Sequence, residues 1–464
     1  MNKRMQRKKV LARSLLGGVA LLLLLALPAQ AQVYPAPEVA WHFTEHTGDA
    51  TDLAVGDLTG NGVADVAFID TSSGTSLFAL RGDNGVLRWQ THMVAGGYAI
   101  AVGDVNGDTA NEVIAGSVNG TKGINVFRGS DGTFYFAYPT DSAVTDIELG
   151  DIDGDGTLDI IACDSITEGW IYAINGTTGA NLTGWPQGPL SGPVLDIALG
   201  NLDNAGGVDV AAISLSAVGT LYAYNSTGVQ LWENTSVMGR SVEIGDVDGD
   251  TEEEVVIGDY ISQSVLVYDG DTGDLEYAFP TNERNPTEVE LGDLDGDPND
   301  LEIAVITGFP FDLSIFALDV DASQQVNELW NFSIEWAPEY YGEGLAIGDL
   351  DGDGRNEVVA ASMSSGRNVS CGVWAFDGLD GTVVWMYELG PSPGATVSDL
   401  EVGDVDGDGD MDVLVATNQA AGSVYALFTK EPTLAPLLAP LGIVALIGLL
   451  TVIAASTLVR RKRR

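Results

Sequence analysis

The sequence has little of what builds reactive or cross-linked sites. Three histidines and two cysteines in 464 residues leave scant material for a zinc site, a Cys/His dyad or a disulfide framework. Basic side chains are also scarce. There are 20 Lys and Arg against 67 Asp and Glu, giving a net charge of −47. Such a chain repels nucleic acid and anionic lipid, so no nucleic-acid partner is expected. What is abundant is glycine, at 58 residues, within a composition that is 45% hydrophobic. That is too apolar for a disordered polymer and too glycine-rich for a helical bundle.

The few bases cluster at the ends. Lys3, Arg4, Arg7, Lys8, Lys9 and Arg13 precede an apolar run, 15–27, and then Ala29-Gln30-Ala31. This order predicts a secretory signal peptide over 1–31. At the other end a Pro-containing linker, 431–440, leads into the uncharged stretch 441–459 and the basic tail 460–464. The stretch is long enough to span a bilayer as a helix, and the tail would stay on the cytoplasmic side. The expectation is an exported, single-pass protein with its bulk, 32–430, outside the cell. The same ending also resembles the C-terminal sorting signals of prokaryotic surface proteins. Asn-x-Ser/Thr acceptors at Asn119, Asn175, Asn181, Asn225, Asn234, Asn331 and Asn368 fit an exported glycoprotein.

The middle is one unit written eight times. An apolar strand ends in Gly-Asp, an acidic loop follows, and a second apolar strand leaves it. VGDLTGNGVADVAFI, LGDIDGDGTLDIIAC and VGDVDGDGDMDVLVA are three of the copies. The loops begin at Asp57, Asp104, Asp151, Asn201, Asp246, Asp293, Asp349 and Asp404, spaced 45 to 56 residues apart. Each unit continues with a hairpin such as LFALRGDNGVLRW or LYAYNSTGVQLW, alternating strands around a glycine turn. Four short strands in about 47 residues make a propeller blade. The fold class is therefore all-β: an eight-bladed β-propeller of four-stranded blades. The eighth unit stops after three strands, whereas EVAWHF at 38–43 is a strand without a unit. That N-terminal strand is expected to complete the last blade and close the ring, removing an exposed sheet edge. Trp41, Trp89, Phe136, Trp185, Trp232, Tyr277, Trp330 and Trp385 are the fourth-strand aromatics that would dock one blade on the next.

In the third loop, Asp151, Asp153, Asp155 and Asp159 occupy positions 1, 3, 5 and 9. Carboxylates at that spacing turn inward as the chain wraps a point. Hard oxygen donors in a flexible turn suit Ca²⁺, and without a cation they would repel one another. An EF-hand needs Glu at position 12; here that residue is Ala162, inside an apolar strand. The full acid set recurs as Asp246, Asp248, Asp250 and Glu254, as Asp349, Asp351, Asp353 and Glu357, and as Asp404, Asp406, Asp408 and Asp412. The second loop has Asp104, Asn106, Asp108 and Glu112 and should still bind. The sixth has Asp293, Asp295 and Asp297, with one extra residue before Glu302, and should be distorted. The first, with Asp57, Thr59, Asn61 and Asp65, should bind more weakly. The fourth, with Asn201, Asp203, Ala205 and Asp209, should bind nothing tightly. The expected cofactor is several structural Ca²⁺ ions, about one per complete loop.

These loops resemble those of FG-GAP repeats, a VCBS-type family known from integrin α-subunit propellers and microbial surface proteins. The resemblance spans about residues 38–430. It implies a calcium-binding propeller used outside the cell in adhesion or ligand binding, with the acids just named as ion ligands. This sequence mostly reads VGD or LGD where the family name asks for Phe-Gly. The hairpin line also resembles quinoprotein-like propeller repeats, whose cofactor-binding features are not evident here.

No catalytic set stands out. His42, His46 and His92 are the only histidines, and strand-edge or surface roles suit them better than that of a base. Cys163 and Cys371 belong to opposite blades, too far apart for a disulfide. Arg81-Gly82-Asp83 spells an adhesion tripeptide inside LRGDNG, where turn chemistry alone accounts for Gly and Asp. The acidic loops hold fewer than half of the acids, so they do not explain the charge, which would suit a high-salt habitat. The expected function is an adhesion or ligand-binding module for an extracellular protein or glycan, held to the membrane by its C-terminal helix. A polysaccharide-degrading lyase or glycosidase on the same scaffold, or a structural envelope protein, are the alternatives.

Overall fold

The computed structural model describes residues 36–428, apart from 47, 72–75, 94–96, 118–121, 166–167, 217–218, 283, 309–312, 322–324, 335–343, 363–371, 390–395 and 419–422, together with 32–33 and 433–434. The expected signal peptide, membrane helix and basic tail lie outside the described residues, as do Cys371, Asn119 and Asn368. Among the described residues no helix is long and apolar enough to cross a membrane. Two short strands, Gln32–Val33 and Thr433–Leu434, pair antiparallel in a separate unit.

Residues 36–430 form the second unit, a ring of eight antiparallel sheets. Blade one contains, from axis to rim, Ala50–Gly56, Asp65–Asp70, Ser76–Arg81 and Leu87–His92. The others repeat that order. Their inner strands are Ile100–Gly103, Val144–Gly150, Val194–Gly200, Val242–Gly245, Asn285–Gly292, Leu345–Gly348 and Val397–Gly403. Neighbouring inner strands touch all the way round, the last meeting the first. Closure is as the sequence implies: Glu38–Phe43 pairs antiparallel with Ser423–Phe428, Glu38 opposite Phe428 and Phe43 opposite Val424.

Burial follows from radial position. The second strand of each sheet is sandwiched between neighbouring blades, so Asp65–Asp70, Asp159–Asp164 and Asp412–Thr417 are buried at every residue. These strands accordingly read as continuous apolar runs. Outer strands such as Gln230–Thr235 alternate, with Trp232 inward.

Two repeated contacts join the blades. The inner-strand glycine lies under the next blade: a Cβ on Gly56 would stand 2.5 Å from Val102, and one on Gly403 2.6 Å from Val55. The fourth-strand indole donates to a carbonyl in the next blade's hairpin turn. Trp89 Nε1 donates to Gly129 O at 2.6 Å, Trp232 to Gly270 O at 2.7 Å and Trp330 to Gly378 O at 2.6 Å. Trp41 reaches Gly82 O across the closing seam.

One blade departs from the sequence expectation. Blade three has three regular strands. Its fourth place is taken by an irregular segment attached through two isolated bridges, Ile171 with Gln187 and Ile174 with Asn181. Pro186 and Pro189 in that segment supply no N–H to a ladder, which breaks regular pairing. Trp185 still docks, donating to Ser226 O at 3.2 Å.

Candidate metal centres and an acid-lined axis

Each acidic loop joins the inner strand to the second strand, so antiparallel pairing places all eight on one face of the disc. The hairpin turns share that face; the remaining connections lie on the other. The ninth loop residue opens the second strand directly opposite the inner-strand glycine, as in Gly150 with Asp159, Gly245 with Glu254 and Gly403 with Asp412. That register buries the ninth acid: Asp159 is 0% exposed, Glu302 1% and Glu357 2%.

Within the third loop, backbone N–H groups fold onto the carboxylates. Asp155 N and Gly156 N donate to the two oxygens of Asp151 at 3.0 and 2.9 Å, Thr157 N to Asp155 at 2.9 Å, and Ile152 N to Asp159 at 3.1 Å. Gly154 and Gly156 sit at φ +73° and +89°, a backbone region open mainly to glycine. Similar wraps hold Asp104, Asp246, Asp293, Asp349 and Asp404. Successive loops are also linked: Asn111 N donates to Asp57 O, Leu301 N to Asp246 O and Asn356 N to Asp293 O.

In at least four loops three carboxylates converge, with one oxygen from each within 4.8 Å of the others. They include Asp151, Asp153 and Asp159; Asp246, Asp248 and Asp250; Asp293, Asp295 and Glu302; and Asp349, Asp351 and Asp353. In the second loop Asn106 Nδ2 donates to Glu112 Oε1, while the other oxygen, Oε2, is buried with no hydrogen-bond partner. Burial, then Asp108 and Asp104, push the Glu112 carboxyl up to about 7; burial likewise holds Glu254, Glu302 and Glu357 at about 8. Clustered, desolvated hard oxygens and an orphaned carboxylate oxygen are a donor set that fits a divalent cation. Asp300 and Asp319, which the loop pattern does not include, form a further group with Glu302.

The first and fourth loops, expected to bind weakly or not at all, differ visibly from the rest. In the first, a guanidinium is already present: Arg88 donates to Asp65 at 2.7 Å, with the pair 19% and 2% exposed. Asp57, Thr59 and Asn61 are satisfied locally by Thr59 N on Asp57 and Val63 N on Asn61. In the fourth, Asn201 N donates to Glu253 of the next blade at 2.6 Å, and Ala205 offers no side-chain oxygen. The seventh carries an exposed Arg355–Asp353 pair. The adhesion tripeptide is folded on itself: Arg81 pairs with Asp83 at 2.7 and 2.9 Å, and Gly82 lies under Trp41. His46 is buried against Asp70 at 3.2 Å among Phe43, Phe68 and Phe78. Cys163 is a buried free thiol.

Sequence reasoning missed a second group of acids, on the inner strands. Asp52, Asp146, Asp196, Glu288 and Asp399 each stand four residues before the strand's terminal glycine. A β-bulge immediately precedes each one and re-aims it at the neighbouring blade. Asp52 accepts Ile100 N at 2.8 Å, Asp146 accepts Ile197 N at 3.1 Å, Asp196 accepts Val242 N at 2.7 Å, Glu288 accepts Gly344 N at 2.7 Å, and Asp399 accepts Leu53 N at 2.8 Å across the closing seam. Ser241 does the same for Val289 N. Two residues on, Glu148, Glu243, Glu290 and Glu401 come from blades three, five, six and eight and act on one another across the axis. Solvent reaches these side chains in part, Glu148 most. Yet the enclosing walls desolvate them, and with like charges raise Glu148 and Glu401 to about 8. A sequence signal existed: Thr51-Asp52, Thr145-Asp146, Thr287-Glu288 and Ser398-Asp399 are hydroxyl-acid pairs at one register position. Thr145 Oγ1 itself donates across the seam, to Val194 O at 2.8 Å.

The model of the FG-GAP-like repeat matches residues 104–162 and 338–415. Among curated proteins none matches the chain in sequence. Solved structures with a similar fold include a rhamnogalacturonan lyase of Bacillus licheniformis (14% identity, 88% of this chain and 75% of that one, TM-score 0.54). Sqt1 of Saccharomyces cerevisiae is another (12% identity, 86% and 100%, TM-score 0.62). A third is a quinohemoprotein alcohol dehydrogenase of Pseudomonas putida HK5 (12% identity, 86% and 78%, TM-score 0.55). At these identities the likeness is one of fold. The chain carries FG-GAP-like repeats on an eight-bladed β-propeller whose blades, the third excepted, are four-stranded.

Proposed function

We propose that this propeller is a calcium-stabilised binding module at the cell surface, anchored by segment 441–459, that recognises an extracellular protein or glycan. The observation that carries the reading is the convergence of carboxylates in register around one face, on a fold that has no other evident use for them. Ions there would tie the inner and second strands of each blade. The opposite face, where connections vary from blade to blade, is left for recognition. The charge of −47 favours a neutral or basic ligand over a polyanion. The test is retention of immobilised proteins and glycans by the full chain in millimolar calcium and in chelator. Retention that needs calcium and leaves the ligand intact supports the reading; no retention in calcium sinks it.

The second reading is an extracellular lyase or glycosidase, favoured by the likeness to rhamnogalacturonan lyases at 14 to 16% identity. Its signature would be new reducing ends, or unsaturated uronides, released from a polysaccharide. The net charge opposes it, since a galacturonate polymer is itself an anion.

A further inference from the structure

At four seams the outer strand of one blade lays an aromatic ring on the third strand of the next. Phe43 meets Phe78 at 5.9 Å between centroids, Tyr138 meets Tyr172 at 5.7 Å, Phe279 meets Phe316 at 6.3 Å, and Phe332 meets Phe376 at 5.0 Å. Each of these outer rings stands two residues past the docking aromatic. Between blades three and four that position is Gln187, two past Trp185. Its side chain turns back to donate to Gly184 O at 2.6 Å. Blade three covers the third strand of blade four only through Trp185, 6.1 Å from Tyr224 between centroids, and Leu190, with no ring at the Gln187 position. A cleft of about 820 Å³ opens there instead, within the range of small-ligand sites. It runs along the seam from Tyr224 and Gln230, beside the hairpin turn, to Thr220 and Thr235 at the other end of the strand pair.

The walls are specific in chemistry. Tyr222 and Tyr224 lie two residues apart on one face of the third strand, rings 6.3 Å apart and 22° from parallel. They are 5% and 3% exposed, so only a small part of each lines the cleft. Opposite them on the outer strand stand Glu233 and Gln230, both exposed, with Gln230 Nε2 donating to Glu233 Oε2 at 3.1 Å. Ser191 and Ser216 close the rim, and Ser191 N donates to the Tyr222 hydroxyl at 3.2 Å. The lining is thus hydroxyls, one carboxamide and one carboxylate beside two tyrosines. That mixture matches a ligand with many hydroxyls and apolar ring faces. The carboxylate disfavours an acidic sugar.

We propose that the seam between blades three and four is a saccharide-binding cleft that takes an uncharged or amino-bearing oligosaccharide, with Gln230, Glu233 and the Tyr222 and Tyr224 hydroxyls as its recognition groups. This deepens the binding-module reading and rests on it. The experiment uses the full chain in detergent with millimolar calcium. Neutral, amino and uronic-acid oligosaccharides are screened for retention, and the retained class is titrated calorimetrically. The double variant Gln230→Ala/Glu233→Gln changes two exposed side chains, so its melting temperature should not move. Its affinity should fall at least tenfold. Gln90→Ala, at the matching position opposite Phe78 of a filled seam, should leave affinity unchanged. If an oligosaccharide binds and the double variant binds it equally well, the cleft is not the site, while the binding-module reading survives. If only uronic-acid oligosaccharides are retained, or only a protein partner is, the saccharide assignment is overturned. If no oligosaccharide is retained, the saccharide assignment falls while the binding-module reading survives for a protein ligand.

Discussion

The two faces of the disc are built by different rules. On the acidic-loop face the connection from inner to second strand has one length in seven blades of eight, with a single inserted residue in the sixth. The second, sixth, seventh and eighth loops also donate to the preceding loop's backbone, and indoles dock beneath. On the other face the connections share no acid pattern and their lengths vary; those from blade six to seven and from second to third strand in blade seven are longest. One face is thus constrained by its acid wraps and loop-to-loop contacts, the other only by the need to reach the next strand. Stability should respond to changes on the first face and recognition to changes on the second.

The largest test of that division is removal of divalent metal. Ions held only by the folded state add about 2.7 kcal/mol per site at a hundredfold excess over Kd. With several loops filled, chelation should lower Tm by tens of degrees, and calcium should restore it. A chelated chain that melts unchanged in calorimetry would remove the reason for the regular face.

Blade one sharpens the comparison, because an arginine from its outer strand, Arg88, reaches into a loop that lacks a full acid set. Arg88→Leu leaves Asp65 buried without its cation. Loss of one partner of a buried pair costs about 3–5 kcal/mol. If Arg88 substitutes for a metal, added calcium should recover part of that loss in R88L and raise wild-type blade one little. Urea unfolding with and without calcium reads both. Equal calcium responses would show that Arg88 and the ion do not compete.

The axis belongs to neither face, and its stability should depend on pH in the opposite sense to the usual acid denaturation. Burial raises Glu148 and Glu401 from 4.5 to about 8. The unfolded chain releases these protons as pH passes the ordinary carboxylate range; the folded chain holds them until about 8. Between those limits the folded state binds more protons, so this contribution is present below pH 4 and is lost as pH climbs to 8. A chelated chain should melt higher at pH 5 than at pH 8, and Glu401→Gln should shrink the gap by a few degrees. A melt that rises with pH would contradict the assignment.

How far the sequence revealed the molecule follows the same division. Wherever a position is fixed by a repeated contact, it is written eight times and can be read. The glycine under each next blade, the docking aromatics, the orphan strand 38–43 and the acid spacing all appear in the one-dimensional pattern. The outer segment of blade three was misread because Trp185 is in register while the residues around it, including Pro186 and Pro189, cannot form a ladder. The axial acids were missed for a different reason. Asp52 or Glu290 in a β-strand looks like an ordinary solvent-facing residue until the ring turns that side toward other acids. The Arg88–Asp65 pair was invisible because its partners are 23 residues apart and only the hairpin brings them together.

The smallest expected effect separates two docking indoles. Trp232 donates to Gly270 O; Trp385 is as buried, at 6% against 9%, but its Nε1 has no hydrogen-bond partner. The cause lies in closure. Trp232 meets a hairpin turn made by consecutive strands, whereas the blade after Trp385 takes its outer strand from the N-terminus and has no such turn. Both indoles fill similar space, so replacing each by Phe costs a similar packing loss. Only at Trp232 is a hydrogen bond lost as well, worth about 1 kcal/mol with a buried carbonyl left unsatisfied. Trp232→Phe should therefore destabilise by about 1 kcal/mol more than Trp385→Phe in urea unfolding. Equal losses would mean that packing alone docks the blades and that the carbonyl finds another donor.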